Sequence, residues 1–118
     1  MRVAMLLSNA FRPDPRVLKE AESLAALGHK VTVICWDRAA EMKPEEVLES
    51  GVRILRVQNI PSAYGIGAQQ LLRLPHFWLA AQPILGRLQP DLIHCHGLDT
   101  LAAGLVWGKL RRRPVVFD

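Results

Sequence analysis

Three neighbouring residues of types that bind metal ions or move protons, His94, Cys95 and His96, lie close to the C-terminal end of the sequence. The apolar run 92–95 predicts a β-strand, in which successive side chains point to opposite faces. Cys95 should therefore point away from both histidines, and we expect no metal site from this set. His96 should begin a loop, where its neutral imidazole can hydrogen-bond a hydroxyl group or act as a base. A purely structural hydrogen bond to a neighbouring loop is the open alternative.

Asp99 follows the histidines and has two open roles. Its position directly before an apolar helical pattern is typical of an N-cap, whose side chain accepts hydrogen bonds from the free N–H groups of the first turn. A carboxylate that caps a helix at a cleft can also serve as an acid there.

The segment 8–16 is the second place where residue types suggest binding chemistry. It contains no glycine, whereas a dinucleotide-binding loop and a phosphate-binding P-loop both need glycine for close backbone approach to phosphate groups. A nicotinamide-dependent dehydrogenase is therefore disfavoured. Arg12 and Arg16 lie near an expected helix N-terminus, where they could meet an anionic group. Pairing with Asp14 or Glu20 is the open alternative.

The composition limits the classes of protein to which the chain can belong. Of its 118 residues, 50% are hydrophobic and 22% charged, so we expect one globular domain with a substantial core. Its net charge of +4 is far from that of a dedicated nucleic-acid binder, and we expect no nucleic-acid partner. Cys35 and Cys95 each lie in an apolar run, which favours reduced, buried thiols. We find no pattern of a signal peptide or a spanning helix, so the predicted location is cytoplasmic.

Five short runs rich in apolar or β-branched residues predict β-strands that alternate with helical patterns. We expect the third strand at a sheet edge, because Arg53 and Arg56 suit a half-exposed position, and we expect a helical turn after Pro44. The alternation predicts the α/β class, with a Rossmann-like doubly wound parallel sheet of strand order 3-2-1-4-5. The predicted strands cover 3–7, 31–36, 52–57, 92–95 and 114–117.

Three segments carry helical patterns. The first is expected to begin at Pro15, with Asp14 as its cap, and to end at Gly28. The second, which precedes the fourth strand, is expected as two pieces because Pro75 and Pro83 interrupt it. The third is expected to carry one shared apolar face, which consists of Leu101, Ala102, Leu105, Val106 and Leu110.

The predicted strand order also predicts the position of a binding site. In a doubly wound sheet, ligands bind beyond the carboxyl ends of the strands at the point where the strand order reverses, here between the first and fourth strands. We therefore expect the segments 8–14 and 94–99 to face each other across one cleft.

The middle of the chain is basic and apolar, with no acidic residue between Glu49 and Asp91. Within it, 69–88 combines arginine, aromatic and aliphatic residues in the way that interfacial membrane contacts do. A peripheral membrane contact through 69–88 is therefore one interpretation. The favoured interpretation is that the same residues pack on the sheet or against a partner domain.

Two stretches of the sequence resemble the N-terminal half of retaining glycosyltransferases of family 4. They read DPRVLKEAESLAALGHKVTVI and PDLIHCHGLDTLAAGLVWGKLRRRPVVFD. The first joins a helix to a strand through Gly-His, and the second carries Pro-Asp-x-x-His-x-His followed by Asp-Thr-Leu. The resemblance implies one half of a GT-B architecture, in which two Rossmann-like domains face a deep cleft. In that architecture the N-terminal domain mainly holds the acceptor and the C-terminal domain mainly holds the nucleotide sugar.

The resemblance further implies which part of such an enzyme this chain represents. Residues 1–118 are expected to form a single, truncated acceptor-side domain that lacks the C-terminal donor-binding domain. Catalytic groups are expected just beyond Asp118 and none within the chain, and no metal or cofactor is expected. The residues that the resemblance places at the acceptor are Asn9, Phe11, Arg12, Asp14, His96 and Asp99.

The implied function is transfer of a sugar from a nucleotide-sugar donor to a hydroxyl acceptor with retention of configuration. The acceptor would be lipid-linked or a polysaccharide, the donor would be held by the missing domain, and the fragment alone is expected to be inactive. Two alternatives stay open at this point. One is half of a sugar-nucleotide epimerase of similar fold, and the other is a non-catalytic binding or assembly module.

Overall fold

A mostly parallel β-sheet with helices on both faces forms the centre of the computed structural model, which describes residues 1–7, 15–37, 42–58, 67–96 and 98–117. The helices are α1 (Pro15–Ala26), α2 (Gly67–Leu88) and α3 (Leu98–Arg111). The strands are β1 (Arg2–Leu7), β2 (Lys30–Trp36), β3 (Glu45–Val47), β4 (Arg53–Val57), β5 (Leu92–Cys95) and β6 (Val115–Phe117).

The strand order of the sheet is β3-β4-β2-β1-β5-β6. The five predicted strands correspond to β4-β2-β1-β5-β6, and they pair in parallel in the predicted order. The predicted order is incomplete, because β3 adds an antiparallel strand beside β4. The helical turn predicted after Pro44 is therefore wrong. So is the edge position predicted for the third strand, since β3 covers the outer side of β4.

Two ion pairs explain why β3 lies beside β4. Arg53 pairs with Glu45 at 2.7 Å on the exposed side of the sheet. Arg56 pairs with Glu46 at 3.2 Å and also donates to the Lys43 carbonyl oxygen at 2.9 Å, with 1% of its side chain exposed. Both arginines of β4 thus pair with β3, although Arg53 stays largely exposed and only Arg56 is buried.

Helix α1 begins and ends where the sequence predicts. Its first residue is Pro15, and Asp14 lies outside the described residues. Gly28 has φ of 94°, a left-handed conformation that glycine adopts without a steric penalty. The Gly28 amide donates to the Ala25 carbonyl at 3.0 Å and the His29 amide to the Leu24 carbonyl at 3.2 Å, which is the Schellman pattern of hydrogen bonds.

Helix α2 is one helix that contains both Pro75 and Pro83, so the prediction of two pieces is wrong. Each proline removes a backbone hydrogen bond, but both lie on the exposed side, where water can bond the carbonyls left over. The sheet-facing side stays apolar across both prolines. Its fully or nearly buried residues are Leu74, Phe77, Ala81 and Leu85.

The apolar face predicted for helix α3 is only partly the one that packs on the sheet, because Leu101 packs against the core and the larger residues further along that face do not. Leu105, Val106 and Leu110 are exposed, whereas Ala103 and Trp107 are buried. The reason is the pair of glycines on the same side: a Cβ on Gly104 would overlap the Cys95 sulfur, and a Cβ on Gly108 would overlap the Val115 side chain. Glycine thus lets the helix axis come close to β5 and β6, and the larger aliphatic residues point outwards.

The two faces of the sheet carry separate apolar cores. On one face, α1 packs through Val17 and Ala21 against alternate residues of the strands, such as Met5 and Val33. The other face is covered by α2 and α3, and there the rings of Trp36 and Phe77 stack with centroids 5.6 Å apart. No helix in the described part of the chain is both long and apolar enough to cross a membrane.

Candidate functional site

The carboxyl ends of β1 and β5 lie side by side, as the predicted reversal of strand order requires. Leu6 pairs with Cys95 in the parallel register, and the His96 amide donates to the Leu6 carbonyl at 3.0 Å. The chain segments that follow these two strands therefore leave the sheet at the same edge. The predicted acceptor residues of the first segment lie outside the described residues: Asn9, Phe11, Arg12 and Asp14.

His96 is the predicted site residue that the structure describes most fully. It directly follows β5, is 6% exposed, and its ring stacks on that of His94 with centroids 4.1 Å apart and 24° between the ring planes. Its Nε2 lies 4.0 Å from Oε2 of Glu20, on α1. The imidazole is thus enclosed between its own strand and the first helix.

Cys95 lies on the opposite side of the sheet from His94, as strand alternation predicts. It belongs to the core under α2 and α3, whereas the register partner of His94, Met5, belongs to the core under α1. Burial raises the pKa of the Cys95 thiol to about 11, while hydrogen bonds with Thr100 and Gly104 act in the lowering direction. Cys95 is therefore a neutral core residue and no partner of the two histidines.

Glu20 is the residue of this site that sequence reasoning did not single out. It lies between Val17 and Ala21, which are both buried, so it stands at the border of the helix face that packs on the sheet. Its Oε2 is buried and accepts no hydrogen bond from the described residues, although 38% of the side chain is exposed. The signal in the sequence is the spacing. Glu20 lies three residues after Val17 and one before Ala21, so on a helix its side chain projects beside the face that packs on the sheet.

Asp99 does not precede α3 but lies inside its first turn, because the helix begins at Leu98. The predicted N-cap is therefore wrong by position. A negative charge in the first turn still interacts favourably with the helix dipole. The side chain of Asp99 is outside the described residues, so its proposed contact with an acceptor stays a prediction.

Glu20, His94 and His96 offer one ligand atom each, and these three atoms all lie within 4.8 Å of one another. Two imidazoles and one carboxylate at the carboxyl edge of a parallel sheet can hydrogen-bond a hydroxyl group, transfer a proton or bind a transition metal ion.

The sequence of this region also matches a known family. The model of glycosyltransferase family 4 matches residues 16–117, which includes all three of these residues. The chain belongs to glycosyltransferase family 4.

Solved structures share the fold of this family 4 domain at low sequence identity. Sucrose-phosphate synthase from Thermosynechococcus elongatus superimposes with a TM-score of 0.75 at 19% identity, over 99% of this chain and 32% of that one. The calicheamicin glycosyltransferase gives a TM-score of 0.61 at 21% identity, over 97% of this chain and 31% of that one. At such identities the likeness concerns the fold, which is Rossmann-like and typical of GT-B glycosyltransferases.

The fold of this family 4 domain also occurs outside glycosyltransferases. The C-terminal domain of a Pyrococcus furiosus hydrogenase superimposes with a TM-score of 0.75 at 15% identity, over 99% of this chain and 90% of that one. No curated protein matches the chain in sequence. The chain spans about a third of the length of the sucrose-phosphate synthase.

Proposed function

We propose that this chain is the acceptor-binding domain of a glycosyltransferase that moves a sugar from a nucleotide-sugar donor to a hydroxyl acceptor with retention. The observation that carries the proposal is the family 4 match over residues 16–117. The closely packed β1 and β5 support it, because binding sites of doubly wound sheets form at such a reversal of strand order. The chemistry thus lies at the carboxyl edge of these two strands.

In this proposal His96 contacts the acceptor. Its backbone is held at the end of β5 by the bond to Leu6 and its ring stacks on His94, so the imidazole is well positioned before a ligand arrives. A fixed imidazole hydrogen-bonds a hydroxyl group at a lower entropic cost than a mobile one. Asn9, Phe11, Arg12, Asp14 and Asp99 complete the proposed acceptor site.

The donor would bind to residues beyond this chain. Rate enhancement in glycosyl transfer depends on charged groups that stabilise the leaving phosphate and on reactants held in contact. The catalytic groups are expected beyond Asp118 and in a second domain, so the chain alone would hold only one of the two reactants. The proposed acceptor is lipid-linked or a polysaccharide, with a cytoplasmic protein in peripheral contact with the membrane through 69–88.

The test compares the 118-residue chain with the product of its complete gene. Both are incubated with a panel of nucleotide sugars and a membrane extract that supplies acceptors, and nucleotide release is followed. We expect release only by the longer protein, and a loss of at least tenfold in the longer protein with His96→Ala. Robust turnover by the short chain alone would overturn the two-domain proposal, and the anomeric configuration of the product, read by NMR, tests retention.

A binding or assembly module is the second candidate, and the hydrogenase domain is the observation that favours it. That domain has nearly the same extent as this chain and the same fold. The same assay separates the candidates, because a module would release no nucleotide from any sugar donor in either form of the protein. An epimerase would instead convert a nucleotide sugar into its epimer without an acceptor.

A further inference from the structure

We propose that Glu20, His94 and His96 together bind one divalent transition metal ion of the zinc class. The inference goes beyond the proposed function and does not depend on it, because metal binding is measurable with no sugar present. The site joins α1 to the end of β5, at the sheet edge described above.

The distances between the ligand atoms suit one ion after a small closure. The three atoms lie within 4.8 Å of one another, and Oε2 of Glu20 is 4.0 Å from Nε2 of His96. Around a tetrahedral zinc ion with bonds of about 2.0 to 2.2 Å, neighbouring ligand atoms are about 3.4 Å apart. Side-chain rotations that bring the atoms closer by about an ångström therefore complete the site.

The backbone already places the ligands. His94 and His96 are two residues apart at the end of a strand, an arrangement that directs both rings to one face. β5 is hydrogen-bonded to β1 on one side and β6 on the other, so their positions are firmly held. Glu20 is flanked on α1 by the buried Val17 and Ala21, which anchor the helix on the same face of the sheet. Ligands on rigid elements make precise metal sites.

The chemistry of the ligands selects the kind of ion. Two imidazole nitrogens and one carboxylate oxygen suit zinc, cobalt, nickel or iron, whereas magnesium and calcium prefer oxygen ligands throughout. The buried Oε2 of Glu20 accepts no hydrogen bond from the described residues and lies 4.0 Å from Nε2 of His96, which is too far for one. A bound cation would supply the close partner that a buried carboxylate oxygen needs. An ion with these three ligands keeps a coordination position for water or a hydroxyl group.

Cobalt absorption tests the site directly. The purified protein is treated with a chelator, dialysed and titrated with Co²⁺, and the visible d–d bands of the ion are recorded. We expect one saturable equivalent with the strong absorption of tetrahedral cobalt, which one equivalent of Zn²⁺ displaces. Absence of saturable binding would overturn the proposal. A thiolate-to-cobalt charge-transfer band would also overturn it, because the ion would then be held by Cys35 or Cys95.

Variants assign the ligands. Glu20→Gln, His94→Ala and His96→Ala should each weaken Co²⁺ binding at least tenfold, whereas Glu22→Gln and His76→Ala, which change exposed residues of the same types, should leave it unchanged. Unchanged affinity in Glu20→Gln would show that Glu20 and His96 form only an ion pair between helix and strand, and would overturn the proposed site. If a histidine variant fails to fold, X-ray absorption of the zinc-loaded wild type decides. We expect two imidazole ligands, and fewer would contradict the site.

Discussion

Arg53 and Arg56 differ in exposure although both pair with glutamates of β3, and this difference predicts different contributions to stability. Arg56 has 1% of its side chain exposed and pairs with Glu46. Arg56→Ala removes the partner of Glu46 and the donor to the Lys43 carbonyl oxygen, but Glu46 is 33% exposed and water partly solvates its charge, so we expect the free energy of unfolding to fall by about 1 to 3 kcal/mol. Urea unfolding followed by circular dichroism measures this change.

Arg53→Ala is the matched control. The side chains of Arg53 and Glu45 are 44% and 52% exposed, and exposed pairs contribute less than about 1 kcal/mol. Equal losses of unfolding free energy in the two variants would show that burial of Arg56 does not strengthen its contribution to stability.

Because both cysteine thiols are buried, we expect the free energy of unfolding to fall at alkaline pH. Burial raises the pKa of Cys35 from 9.0 to about 12 and that of Cys95 from 9.0 to about 11. An unfolded thiol thus loses its proton at a lower pH than a folded one, so the unfolded state gains stability as pH rises above 9.0. We expect the urea midpoint to decline between pH 9 and pH 11, and to decline less in Cys35→Ala.

Thiol labelling at neutral pH gives an independent measurement of the same property. Because the thiolate is the reactive form, both buried cysteines should react slowly in the native protein and rapidly in denaturant. Fast labelling of the native protein would contradict their burial.

At the candidate site, sequence reasoning found the histidines and missed their acidic neighbour. Alternation along a strand is a strong local rule, so the separation of His94 from Cys95 was predictable. Glu20 is 74 positions before His94 in the sequence. The contact of Glu20 with the histidines depends on the orientation of α1 on the sheet, and local sequence patterns do not determine that orientation.

The close packing of α3 against β5 predicts a marked effect of one added methyl group. In Gly104→Ala the new Cβ would overlap Sγ of Cys95 and lie 3.4 Å from Cγ2 of Ile93. Overpacking of a tight core costs about 1 to 3 kcal/mol, which exceeds the helix propensity gained from alanine. We expect a lower melting temperature, and a smaller loss in the double variant with Cys95→Ala because the overlap is removed.

Gly86→Ala provides the comparison on α2. Among the described residues a Cβ there would meet only Trp107, at 3.9 Å, so the helix propensity of alanine should raise stability by up to about 1 kcal/mol. A destabilised Gly86→Ala together with a neutral Gly104→Ala would refute this account of α3.

Helices and strands with a strong local pattern were predictable, and those decided by distant contacts were not. The Pro15 start and Gly28 end of α1 are local signals, and both were correct. β3 has three residues, two of them glutamates, and forms because arginines of β4 pair with it. The prolines of α2 are tolerated because they face water, a property that depends on which side of the helix meets the sheet.

For the whole molecule, the distribution of charge predicts weak, salt-sensitive binding to anionic vesicles. The net charge is +4, and no acid lies between Glu49 and Asp91. Sedimentation with anionic vesicles should show binding at low salt that declines as salt rises, since exposed charges are screened over about 10 Å at 0.1 M. Neutral vesicles should bind less.

Two single substitutions locate the contact. Arg87→Gln removes an exposed charge of α2, and we expect it to weaken vesicle binding. Lys19→Gln removes the same charge from the exposed side of α1, on the other face of the sheet, and should have a smaller effect. Equal effects would indicate attraction by net charge alone. No binding at low salt would remove the membrane contact and leave packing on the sheet as the role of 69–88.

The antiparallel strand β3 has a consequence for the solubility of the whole molecule. The five-residue parallel strand β4, if left open, would offer a row of backbone donors and acceptors on which another chain could assemble. β3 covers that row with three residues, and two of them are charged. On the far side of the sheet, the described part of β6 is equally short. Both edge strands of the sheet are therefore poor templates for intermolecular β-sheet formation.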